Sequence, residues 1–162
     1  MKESTVNVLS LNGEWRLSGR PSHGRQGKEI HLAAVVPGHV CTDLLAAGFI
    51  KDPFWRDQAE ECQWVENYEW TFTRDFSVSS VDPHECKEFI FKGLDTYATI
   101  TLNGAILGQT DNMFIPHRFD VTGKLQRGVN RLVITFSPYQ ERIKGKSLDY
   151  EAAFFASAQV KG

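Results

Sequence analysis

One stretch limits the possible folds more than any other. From Tyr68 to Val78 the side chains alternate with a period of two. Tyr68, Trp70, Phe72, Phe76 and Val78 fall on one parity, interrupted only by Arg74. Glu69, Thr71, Thr73, Asp75 and Ser77 fall on the other. Successive side chains of a strand point to opposite faces, so this pattern predicts a strand with one face buried. A strand of that kind needs neighbours and a second layer to cover its apolar face. The same alternation recurs at Thr96 to Leu102, where Ala98, Ile100 and Leu102 share a face, and at Arg131 to Phe136, where Leu132, Ile134 and Phe136 do. Asn103-Gly104 follows the first of these and leads into Ala105-Ile106-Leu107. Asn-Gly takes positive φ readily, so a type I′ hairpin is predicted there. A second hairpin turn is expected at Asn12-Gly13, ahead of Trp15 and Leu17. Further strands are expected at Ile30 to Val35, Phe89 to Phe91 and Arg118 to Val121.

Helical signal is scarce. Val40 to Ala47 predicts about two turns, with Leu44 and Leu45 facing inward and Gly48 at the C-cap. Pro37-Gly38 marks the turn before it, and Gly19 to Lys28 reads as an exposed loop. Many short strands with one short helix predict an all-β chain, an antiparallel β-sandwich. The 162 residues, 41% hydrophobic and 23% charged, suit one globular domain with a real core. The sandwich is expected over 1–142. A linker and tail follow over 143–162, with a short helix from Glu151 to Val160.

Charge and apolar runs narrow the partners. A net charge of −2 argues against a polybasic nucleic-acid or membrane binder. The longest apolar runs, such as Leu32 to Val36, are too short to span a bilayer. The start, Met1-Lys2-Glu3-Ser4-Thr5, carries no signal-like apolar segment. Cys41, Cys62 and Cys86 are odd in number and widely spaced, which predicts free thiols in a reducing compartment; the expected location is cytoplasmic.

Few motifs carry chemistry. No G-x-S-x-G elbow, P-loop or Rossmann glycine pattern occurs. His39, Cys41, Cys62, His84 and Cys86 lack metal-ligand spacing, so neither a metal nor a cofactor is expected. Glu60-Glu61 reads as a solvated turn rather than a glycosidase pair. The run Asp52-Pro53-Phe54-Trp55-Arg56, with Trp64 and Trp70 beyond it, is more informative. Exposed aromatic faces stack on sugar rings while Arg, Asp and Asn bond hydroxyls; buried ones plug a core, and both readings stand for these rings. In Thr110-Asp111-Asn112-Met113-Phe114-Ile115-Pro116-His117, Asp-Asn favours a turn. Met113 and Phe114 at its tip either fold under the loop or mark contact with another domain.

Taken in order, these segments resemble the N-terminal domain of β-mannosidases in glycoside hydrolase family 2. The likeness rests on Leu11-Asn12-Gly13-Glu14-Trp15, Val36-Pro37-Gly38 with Asp43-Leu44, and Gly48-Phe49-Ile50 followed by Asp52-Pro53-Phe54-Trp55-Arg56. It continues through Gly93-Leu94-Asp95-Thr96, Leu102-Asn103-Gly104 and Gly108 to Phe114, and covers about Leu9 to Ser137. The resemblance implies a jelly-roll sandwich of the galactose-binding-like type. In that family it precedes an immunoglobulin-like domain and a (β/α)8 barrel that carries both catalytic glutamates of a retaining mechanism. A barrel needs roughly 250 residues, so none fits in this chain and no Glu here is expected to be catalytic. The resemblance thus implies a non-catalytic module, inactive alone, of an enzyme that removes terminal non-reducing β-D-mannose. Its implied partners are the β-mannoside, met through the full-length enzyme, and the downstream domains, with no nucleic acid and no membrane. It also implies that Asp52 to Trp64 is mainly scaffold. The carbohydrate-binding or domain-interface candidates are Asp52, Phe54, Trp55, Arg56, Trp64, Asp111, Asn112, Met113 and Phe114. Rival expectations are a free-standing lectin-like module, the N-terminal domain of another family 2 enzyme such as a β-galactosidase, and a protein-interaction module.

Overall fold

The computed structural model describes residues 7–51, 62–82 and 85–138. The long alternating segment is β3 (Tyr68–Val78), the centre of the molecule. It pairs antiparallel with β1 (Gly13–Pro21) on one side and with β8 (Gly128–Phe136) on the other. Adding β2 (Ile30–Val36), β5 (Ala98–Leu102) and β6 (Ala105–Thr110) gives a six-stranded sheet in the order β2-β1-β3-β8-β5-β6. A second sheet pairs β4 (Glu88–Phe91) with β7 (His117–Asp120). The fold is a β-sandwich, as the alternation predicts.

The parities decide what lies between the layers. Trp15 and Leu17 of β1, Tyr68, Trp70, Phe72 and Phe76 of β3, Ala98, Ile100 and Leu102 of β5, and Leu132 and Ile134 of β8 are all buried. Burying one such side chain contributes roughly 1.5–3 kcal/mol. The second sheet adds Phe89, whose ring meets Phe76 edge-on at a centroid distance of 5.9 Å. The odd parity of β3 faces out as predicted, and there Thr71 Oγ1 lies 3.3 Å from Thr135 Oγ1 on β8.

The helix, α1 (Val40–Ala46), stops one residue short of the expected end. Gly48, with φ of 76°, lets the chain reverse: its N–H donates to Leu45 O at 3.0 Å, and that of Phe49 to Leu44 O at 2.9 Å. This is the Schellman pattern that a glycine there predicts. Leu44 is fully buried, but Leu45 is 40% exposed, so only one of the two leucines faces inward. A helix this short meets the sheet along one line, and adjacent residues stand about 100° apart.

Three other expectations need correction. Asn12-Gly13 is not a hairpin turn: Gly13 opens β1 with φ of 114°, and no strand precedes it among the described residues. Gly19 is not in an exposed loop; it lies buried in β1, where a Cβ would stand 2.3 Å from the Trp70 ring. The loop between β1 and β2 therefore spans 22–29. Arg118 to Val121 strands from His117 to Asp120, and Val121 is a buried residue just past the strand. The Asn103-Gly104 hairpin is as predicted, with φ of 51° and 85°. The tail expected over 143–162, with its helix, lies outside the described residues.

Candidate functional site

Register places the candidate loops. One cross-strand row runs Ile30, Gly19, Trp70, Phe136, Ala98, Thr110 across all six strands of the large sheet. The β1–β2 loop, the 3-10 turn before β3, the segment leading into β5 and the loop after β6 all leave from this row. They therefore gather at one end of the sandwich, the arrangement in which a rigid scaffold positions variable loops.

At that end, Trp64 lies in the 3-10 turn Gln63–Asn67. Its ring packs edge-on to Tyr68 at 5.0 Å and tilted to Trp70 at 6.3 Å, while Tyr68 and Trp70 stack at 5.5 Å. The polar handles of that cluster are spent internally. Trp70 Nε1 donates to Val65 O at 2.9 Å, and Tyr68 OH donates to Lys28 O at 3.2 Å. Trp64 is thus half-buried as part of a plug rather than presented as a free platform.

The loop 111–116, between β6 and β7, is built differently. Asn112 Oδ1 accepts from Phe114 N at 2.9 Å, closing an Asx turn as the Asp-Asn pair predicts. The backbone carbonyl of Asn112 accepts from His117 Nε2 at 2.6 Å, so that ring nitrogen carries the proton. Met113 Sδ sits 3.9 Å from Thr96 Oγ1, which donates to Asp95 Oδ1. Thr110 Oγ1 in turn donates to Thr96 O at 3.1 Å, tying the base of the loop to the start of β5. The result is an ordered tip that displays apolar side chains: Phe114 is 85% exposed, Ile115 49% and Met113 39%. Met113 and Phe114 do not fold under the loop. Asp111 and Asn112 are exposed beside them. Ile115 is an addition that the sequence pattern passed over, although it continues the same apolar run. Asp52, Phe54, Trp55 and Arg56 lie outside the described residues, as do Glu60 and Glu61.

A depression among the described residues lies elsewhere, on the outer face of the large sheet, with Arg16, Ser18, Ala33, Thr73, Asp75 and Arg131 in its lining. Asp75 accepts from Arg16 Nη2 at 2.7 Å and from Arg131 Nε and Nη2 at 2.7 and 3.0 Å. The Arg131 hydrogen bond, helped by both guanidinium charges, holds the Asp75 carboxyl below its usual range. The shift follows from the ion pairs that join three strands.

No cluster of three metal-ligating side chains occurs among the described residues. His39 is the N-cap of α1, its Nδ1 accepting from Cys41 N at 3.2 Å. Cys41 is half-buried, and burial pushes its thiol up, away from the reactive thiolate.

A β-sandwich with its loops gathered at one end has the architecture of the galactose-binding-like class. Residues 15–160 match the family described as the glycosyl hydrolase 2 galactose-binding domain-like family, and the chain belongs to it. Beta-mannosidase B of Thermothelomyces thermophilus is 36% identical over 136 residues, covering 84% of this chain. The β-mannosidase of Rattus norvegicus is 35% identical over 128 residues, covering 78%. This chain spans only 15% and 14% of the lengths of those two relatives. The crystal structure of a β-D-mannosidase from Dictyoglomus thermophilum superposes with a TM-score of 0.77 at 33% identity, over 90% of this chain and 17% of that one. A β-glucuronidase from an uncultured Clostridium species, at 19% identity and a TM-score of 0.55 over 85% of this chain and 24% of its own, shares the fold.

Proposed function

We propose that this domain serves a β-mannosidase of family 2, an enzyme that hydrolyses terminal non-reducing β-D-mannose residues with retention, and that it contributes no catalytic residue. The observation that carries this reading is the match over most of the chain to β-mannosidases of which it spans about one seventh. The catalytic glutamates then belong to the remaining polypeptide, and the domain supports that part and shapes one rim of its pocket. Trp64, Asp111, Asn112, Met113 and Phe114 are proposed as domain-interface positions, together with Asp52, Phe54, Trp55 and Arg56. The exposed tip supports this assignment, because contiguous exposed apolar side chains on an ordered loop mark a contact surface more often than a solvated one. No helix among the described residues is long and apolar enough to cross a membrane. Three free cysteines support a cytoplasmic site of action.

Two measurements test the reading. The isolated chain is expected to give no turnover of an aryl β-mannoside; turnover abolished by a point substitution in this chain would overturn it. Titration with mannose, galactose and mannan is expected to leave Trp fluorescence flat. Saturable binding at about millimolar or better would favour the lectin-like alternative. A long open frame in the coding DNA past Gly162 would support the multidomain enzyme directly.

A further inference from the structure

The most anomalous polar group among the described residues is the carboxyl of Asp43. The residue is only 8% exposed, in the middle of α1. Oδ1 accepts from Val35 N at 3.2 Å. Val35 lies near the end of β2, an edge of the six-stranded sheet as described, so this bond fastens the helix to an otherwise unpaired edge amide. Oδ2 is buried and has no hydrogen-bond partner among the described residues. A buried carboxylate oxygen without a donor is costly when it carries charge and much less so when it carries a proton.

We infer that Asp43 is a pH-sensitive clasp: in its neutral form it holds α1 against β2, and ionisation loosens the helix from the sheet edge. Opening the clasp lets water solvate the charge that Oδ2 cannot satisfy inside. Two described groups act on the carboxyl, the Val35 amide from β2 and His39 from the N-terminus of α1, and both favour ionisation. Burial outweighs them and pushes the Asp43 carboxyl up. A raised carboxyl contributes stability that is fully present below the unfolded value of about 3.9 and is lost as pH rises through the higher folded value. The difference between wild type and D43N therefore isolates the clasp.

Amide hydrogen exchange reads the opening at the bonds concerned, those of Val35, Gly48 and Phe49. As pH rises from about 3.5, below the ordinary carboxylate value of about 3.9, to about 7.5, their protection factors, corrected for intrinsic exchange, are expected to fall several-fold in the wild-type chain but not in D43N. The amides of Leu132 and Ile134, in the sheet interior, should respond alike in both. A fall of equal size in D43N, or no fall in wild type, overturns the inference. Should D43N fail to fold, the carbon-13 shift of the Asp43 carboxyl in the wild-type chain decides. A midpoint above the ordinary carboxylate value of about 3.9 supports the clasp, and one at or below it sinks the idea.

Discussion

Asn130 is fully buried in β8, and its side chain is fully engaged. Oδ1 accepts from Gln126 N and from Asn103 Nδ2, both at 2.9 Å. Nδ2 donates to Gln126 O at 2.7 Å and Gly128 O at 3.2 Å. Asn103 also accepts, through Oδ1, from Arg131 N at 2.9 Å, so one buried amide ties the β5–β6 hairpin to the turn before β8. Replacing it leaves several buried groups unpaired, and Asn130→Ala is expected to cost about 2–3 kcal/mol in chemical denaturation. A loss within about 0.5 kcal/mol would mean that water replaces the amide. This residue was invisible in the sequence. It falls on the core parity of β8, and three of its four bonds are local, to Gln126 and Gly128, but the fourth, from Asn103 Nδ2, comes from a hairpin 27 residues away. Gly19 failed for the same reason: only the Trp70 ring, on a neighbouring strand, demands a glycine there. The turn at Asp111-Asn112 was legible because its cause is local, an Asx bond within the loop, whereas whether Met113 and Phe114 face out depends on what lies beneath the loop and stayed open in the sequence.

At the scale of elements, β3 was readable from end to end because its neighbours repeat one rule. In β3 the outward parity is polar throughout and the inward parity is apolar except at Arg74, so register, burial and strand length agree. Helix α1 was readable at its end but not at its face. Gly48 carries the C-terminal signal alone, since only a residue tolerant of positive φ can close the Schellman bonds. Nothing lies within 4 Å of where its Cβ would be, so Gly48→Ala meets backbone strain and no clash. The expected cost is about 1 kcal/mol, read as a lower denaturation midpoint with unchanged slope. A neutral outcome would show that the turn after α1 rearranges freely. The face of α1 depends on where the sheet edge lies, and seven residues hold too few turns to fix it. Leu45 is accordingly exposed where the pattern placed it inside.

At the scale of the whole molecule, two described carboxyls shift in opposite senses, Asp43 upward and Asp75 downward, and Asp120 is lowered like Asp75 through its hydrogen bonds with Thr122. Asp43 is raised by burial and favours the fold on the acid side. Asp75 is lowered by Arg131 and Arg16 and favours it on the neutral side. For a lowered carboxyl, the stabilisation is complete above the unfolded value of about 3.9 and disappears as pH falls through the lower folded value. The Asp75 ion pairs span β1, β3 and β8 on the outer face, so they act on the sheet as a unit and not on one loop. They are also substantially solvated: the Arg16 and Arg131 side chains are 63% and 58% exposed. Their effect is therefore small and screened by salt. Asp75→Asn is expected to lower the thermal midpoint at neutral pH by no more than about 3 °C. The gap should close as pH drops below the carboxylate range and shrink at high ionic strength. A gap that persists at low pH would assign the loss to packing, because Asp75 would then act through its shape and hydrogen bonds rather than its charge. Since the two carboxyls lie on different elements and share no partner, D43N and D75N should change the pH profile additively. Departure from additivity would mean that the α1 edge and the centre of the sheet open together.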